Sequence, residues 1–400
     1  MDDAFPMVAH SIATQSCSND LKLRAEMAGA EAAKYADAVD RDARFPAEAF
    51  AVARTQRLLD MLVPADLGGE GASVSDMVDV CYVLGRACAS TAMIFAMHQI
   101  MVAILVRHAR NSPWHRRMLR RLSTEQLLLA SSTTEGQGGG DLRASVCAVE
   151  RTGSGISLAK SATVVSYGAE AGGILTTARR SAEAPASDQV LVAFVREDYQ
   201  LERMIDWDAL GMRGTCSAGF MLKGAGHINQ LFSDSYQQIH TQTMMPVAHL
   251  TWSAVWSGLA AAAVERARRF VRNAARHAGG QLPPGAAHLT RATTSLRTLR
   301  AIVASALQRF ETIERSGLES LDFQTAMNLL KVNASELAIA TVMSCVQACG
   351  LSGYRNDGEF SVARHVRDVL SSSIMINNDR ILANAASASM LIEVPHLLRD

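Results

Sequence analysis

From about Asn19 to Leu122 apolar positions recur at three- and four-residue spacing, as in "NDLKLRAEMAGAEAAKYADAVDRDARFPAEAFAVARTQRLLDML". This period predicts helix, broken at Phe45–Pro46 and resumed at once. The loop "VPADLGGEGAS" clusters Pro and Gly. Beyond it, "SDMVDVCYVLGRACASTAMIFAMHQIMVAILVRHA" is apolar enough for a pair of buried helices. Between about Glu125 and Asp234 the pattern changes to short β-branched runs ("GISLAKSATVVSYG", "GGILTTARR", "DQVLVAFV", "AGFMLKG") separated by Gly, Ser and Asp turns. These runs predict a compact antiparallel, barrel-like β domain. From about Thr243 the helical period returns in three long segments and a terminal one, for which a four-helix bundle is the natural packing. The expected fold is therefore mainly α with a central β domain: an N-terminal helical domain (1–124), a middle β domain (125–238) and a C-terminal bundle (239–400). The first ~18 residues are expected to be flexible.

Composition narrows the function classes. A chain of 400 residues with 48% apolar side chains can bury sizeable cores. Its 39 basic and 39 acidic side chains leave no net charge to steer it toward nucleic acid or an anionic membrane surface, so a small, locally docked ligand fits better. The seven cysteines are scattered, and "CVQAC" (Cys345, Cys349) reads as one helix face rather than a zinc site; no metal is expected. An odd count without a framework points to reduced thiols and a cytoplasmic protein. The acidic start "MDDAF" lacks the positive charge of a signal peptide. No uninterrupted apolar run of ~18 residues suggests a membrane span.

Three polar constellations stand out. "SSTTEGQGGGDLR" (Ser131 to Arg143) runs from a hydroxyl-rich strand end into a Gly-rich loop, where backbone amides can converge on an anion or an electron-rich ring. It is not a phosphate P-loop, since no Lys-Ser/Thr follows the glycines. "LGMRGTCS" (Leu210 to Ser217) is at least as much a structural turn as a ligand contact. "VQACGLSGYRNDGEFSVARHVRD" (Val346 to Asp368) ends a helix at Gly350 and carries Tyr354, Arg364, Arg367 and Asp368.

Taken in order, "FPAE", "VPADLGG", "TEGQGGGD", "LGMRGTCS", "QACGLSGY" and "RHVRD" resemble the acyl-CoA dehydrogenase superfamily of flavoproteins over about residues 20 to 390. The resemblance implies FAD lying between the β domain and the bundle, a homodimer or homotetramer, and a partner subunit reaching part of the cofactor. It carries Thr134 over to the flavin edge, puts Gly140 where a pyrophosphate-touching Ser is usual, Val164 where an aromatic residue is usual, and keeps a hydroxyl at Ser166. Gln347, Gly350 and Tyr354 match the turn that reaches a neighbouring cofactor or the substrate, with Leu351 in place of a second Gly. The family's "R.TFG" is absent; Arg272 or Arg276 is the nearest source of positive charge toward phosphate.

The segment "RHVRDVLSSSIMINNDRIL" departs most. Counting from Arg367–Asp368, the family's catalytic Glu falls on Ile376, beside Asn377 at the substrate, while Asn378 and Arg380 match residues that touch cofactor ribose or adenine. An alkyl side chain accepts no proton. The alternative carboxylate position in some relatives lies near Thr251, where the nearest titratable group is His249. "INND" also reads simply as a helix N-cap before a helix starting near Arg380. The resemblance thus implies α,β-dehydrogenation of an acyl-CoA or acyl-carrier-protein thioester with a displaced or absent base. A flavin monooxygenase of the same fold and a catalytically silent subunit stay open, as does the electron acceptor, an electron-transfer partner or oxygen.

Overall fold

The computed structural model describes residues 6–109, 111–135, 144–394 and 396. The chain divides into two compact units, the first comprising residues up to Ala209 with Arg213–Ile239, the second Leu210–Met212 with His240 onward. The architecture is mainly helical with a central sheet region, as the sequence pattern predicts.

In the first unit five helices precede the strands: α1 (Pro6–Arg41), α2 (Ala47–Thr55), α3 (Val74–Ala87), α4 (Ala89–His108) and α5 (Pro113–Glu125). Helix α1 starts earlier than the Asn19 expected, with Pro6 at the first position, where its missing N–H costs nothing. Its buried positions Leu21, Ala25, Ala28, Ala32, Ala36 and Val39 form one stripe, and the small alanines let it approach α2 and α3 closely. Ser73 and Asp76 close a reciprocal capping box on α3, which sets where the Gly-rich loop ends.

Seven strands follow: β1 (Leu129–Ser132), β2 (Glu150–Thr152), β3 (Gly155–Ala162), β4 (Gly173–Arg179), β5 (Gln189–Val195), β6 (Tyr199–Ile205) and β7 (Gly219–His227). They form two sheets, β1-β4-β5 and β2-β3-β7-β6. Among the named strands the pairings are antiparallel except β1 with β4, which is parallel because a long excursion through β2 and β3 separates them. Strands β4 and β5 are buried on both faces, so they read as continuous apolar runs rather than alternating ones. A four-residue helix α6 (Tyr236–Ile239) closes the unit.

The second unit contains a π-helical turn (His240–Met244), α7 (Met245–His277), α8 (Ala286–Thr312), α9 (Leu321–Cys349), α10 (Leu351–Tyr354), α11 (Ala363–Leu370) and α12 (Asn378–Ser389). Helices α7, α8 and α9 pack mutually, and α11 and α12 lie on α9. Three helical runs, Ala89–His108, Tyr236–His277 and Leu321–Cys349, are long and apolar enough by composition to cross a membrane, contrary to the expectation of none. The most apolar windows of the first two are each 83% buried inside the fold, which accounts for their composition by packing, and that of the third is 50% buried.

Candidate functional site

The segment between α11 and α12 is built by helix geometry. Helix α11 ends at Leu370, a 3-10 turn spans Ser371–Ser373, and α12 begins at Asn378. The Asn377 side chain caps α12, accepting from the backbone N–H of Asp379 (2.8 Å) and of Arg380 (3.2 Å), so the N-cap reading of "INND" holds. Between them Ile376 takes a left-handed conformation, φ +52°. For a β-branched residue this is strained by about 1–3 kcal/mol, a cost that the surroundings must override.

The override comes from Lys331 on α9, which the sequence did not bring forward. Its Nζ donates to the Ile376 carbonyl (2.6 Å) and to Asn378 Oδ1 (2.7 Å). Asn378 Nδ2 donates to Ser335 Oγ (2.9 Å), one turn along α9, and Ser335 Oγ in turn donates to the Val332 carbonyl (2.7 Å). The Lys331 side chain is fully buried, and burial pushes its pKa down to about 8. Among the described residues no carboxylate pairs with it; its other neighbour is the ring of Trp256, 5.8 Å from Nζ. The signal that could have found it is periodicity: Met327, Lys331, Ala334 and Ala338 share the buried stripe of α9. Asn378 thus spends one acceptor site and one N–H of its amide within this unit.

Helix α7 faces this cluster with polar atoms that have no partner. His249 is buried, and its Nδ1, 2.9 Å from the Met327 carbonyl, must carry the proton, which leaves Nε2 as a bare acceptor. Burial pushes its pKa down to about 3. That corrects the candidacy of His249 as a base, because an effective base at neutral pH has a conjugate acid near that pH. His249 Nε2, Trp252 Nε1, Ser253 Oγ and Trp256 Nε1 are all buried without a hydrogen-bond partner among the described residues. Thr251, where some relatives place a carboxylate, spends its hydroxyl on the Val247 carbonyl (2.8 Å).

The other second-unit candidates lie outside this cluster. Gly350 ends α9 at φ +56°, where glycine's freedom is required by the backbone. Gln347 and Tyr354 are exposed, Tyr354 at 75%, as are Arg272, Arg276 and Arg380. "LGM" and "RD" come together: Met212 N donates to Asp368 Oδ1 (2.7 Å), and a Cβ on Gly211 would lie 2.0 Å from the Arg367 carbonyl oxygen. This stretch is a structural turn, so the structural reading of "LGMRGTCS" prevails at its start.

In the first unit, β1 leads into Thr133 and Thr134, both half-buried, and then into Glu135. Glu135 accepts from Ser145 Oγ (2.5 Å), Val146 N (2.7 Å) and Cys147 N (3.1 Å), with Lys160 Nζ 3.5 Å away. Burial alone would raise its pKa, but the Ser145 hydroxyl, the Lys160 charge and the two amides outweigh it and hold the carboxyl below its ordinary value. The two ends of the Gly-rich loop are thereby tied together. Gly140 lies outside the described residues. Ser166 is half-buried in a hydroxyl chain, 2.8 Å from Ser217 Oγ, which is itself 2.8 Å from Thr215 Oγ1. Val164 stands beside it, a large apolar side chain left 43% exposed. Ser132 Oγ is buried with no partner among the described residues. An exposed apolar side chain beside a half-buried hydroxyl suits a flat ring system with polar edges, so Val164 and Ser166 fit a flavin.

Residues 22–126 match the family model of the acyl-CoA dehydrogenase N-terminal domain, and residues 240–391 that of the acyl-CoA dehydrogenase C-terminal domain. The chain belongs to the acyl-CoA dehydrogenase family, an oxidoreductase family whose cofactor is FAD. It is 25% identical over 383 residues to cyclohex-1-ene-1-carbonyl-CoA dehydrogenase of Geobacter metallireducens, covering 92% of this chain and 95% of that one. Butyryl-CoA dehydrogenase from Megasphaera elsdenii shares the fold at TM-score 0.80 and 16% identity, over 98% of this chain and 100% of that one. FMN-bound TdsC from Paenibacillus sp. A11-2 does so at TM-score 0.81 and 18% identity, over 94% and 98%.

Proposed function

We propose that the chain is a FAD-dependent oxidoreductase acting on the CH–CH group of an acyl thioester, carried by coenzyme A or by a carrier protein, in the cytoplasm and as a homodimer or homotetramer. The observation that carries this reading is the end-to-end similarity to a dehydrogenase named for a coenzyme A thioester. FAD supplies the acceptor for a hydride. Thr134, Val164 and Ser166 are the residues that would hold its ring, and Arg272 or Arg276 the charges nearest in sequence to the family's phosphate contact.

The proton side of the reaction is where this chain differs. Ile376 offers no acceptor, and His249 is too weak a base, so substrates whose α-proton is already acidic suit the site best. Lys331 fixes the backbone of residue 376 from behind, through the carbonyl rather than the side chain. The missing carboxylate also favours a second reading, a flavin monooxygenase acting on a small molecule, since oxygen transfer needs no α-proton removed.

Anaerobic mixing of the FAD-loaded protein with acyl-CoA and acyl-carrier-protein thioesters tests the first reading. Bleaching of the visible flavin absorbance is expected with at least one of them. No bleaching with any would sink it, and product oxygenation with supplied reduced flavin and oxygen would establish the second.

A further inference from the structure

The unpartnered atoms of α7 recur at positions 249, 252, 253 and 256, one face of the helix at i, i+3, i+4 and i+7. Two are indole N–H groups that can only donate, and the Ser253 hydroxyl donates as readily as it accepts. Behind Trp256 stands Lys331, a buried ammonium with no carboxylate among the described residues. Native interiors leave few buried polar atoms unsatisfied, and buried charges are paired. Here three donors and a cation lie together in one unit. The single opposing group is the bare Nε2 of His249.

The geometry points to a carboxylate-binding subsite on α7, formed by Trp252, Ser253 and Trp256 with Lys331 behind them, which takes a substrate bearing a carboxylate besides its thioester. The inference rests on the acyl-thioester reading above. The carboxylate oxygens accept from the indole N–H groups and the Ser253 hydroxyl, and Lys331 supplies the compensating charge.

The test uses the FAD-loaded protein and two thioesters with five-carbon acyl groups, glutaryl-CoA and pentanoyl-CoA, titrated by tryptophan fluorescence and by calorimetry. Glutaryl-CoA is expected to bind at least about tenfold more tightly. Lys331→Met is expected to abolish that preference. Ser253→Ala, which removes one hydroxyl without a partner to lose, is expected to reduce it several-fold. Equal or weaker binding of glutaryl-CoA, or a preference unchanged in both variants, overturns the subsite. Free glutarate separates the two readings when neither thioester binds. A thermal upshift that Ser253→Ala diminishes retains the subsite and removes only the thioester, whereas no upshift removes the subsite as well.

Discussion

Ile376 concentrates the chemical question in one residue. Its side chain is inert, its backbone is strained at φ +52°, and its carbonyl is gripped by a buried lysine. Replacement by glutamate puts a carboxylate at the position to which the sequence resemblance assigns the base and leaves the Lys331 bond to the main chain untouched. Position 376 in Ile376→Glu is therefore expected to stay in place, and the rate of flavin reduction by an acyl-CoA, followed by anaerobic stopped flow, to rise at least about tenfold. General-base catalysis is ordinarily worth more than that. An unchanged rate would show that the base is not what limits this chain.

At the level of elements, two glycines make opposite predictions. A Cβ on Gly211 would lie 2.0 Å from the Arg367 carbonyl oxygen, so Gly211→Ala forces α11 away from the turn packed on it. A loss of about 3 kcal/mol is expected in chemical denaturation. On α1, a Cβ at Gly29 meets the Ala87 Cβ at an ordinary 3.7 Å, and Gly29→Ala is expected to gain about 0.5–1 kcal/mol of helix propensity. The same scale explains what could be read from the chain. Long helices and buried strands announce themselves by period, and the Asn377 cap by residue type, because both are local. Lys331 was missed because a lone lysine in an apolar helix usually snorkels to water, and only the fold shows it turned inward. The α7 stripe was missed because tryptophan reads as core whether or not its N–H is paired. The parallel pairing of β1 with β4 depends on a crossover that no local pattern encodes.

For the whole molecule, each unit buries one lysine whose pKa is pushed down to about 8 by desolvation: Lys160 in the first, Lys331 in the second. The unfolded chain binds these protons up to an ordinary value near ~10.5, so protonation works against the fold. Stability is expected to rise between about pH 8 and 10, by up to about 3 kcal/mol per lysine, and to level off below about pH 8. Denaturant midpoints across that range measure it, and Lys331→Met should remove roughly half of the rise. The two lysines have a further use. A neutral amine is the reactive form toward acylating reagents, and each of these is sealed inside its own unit. Their labelling rates therefore act as two internal clocks, which tick together when the units open as one and separately when they do not.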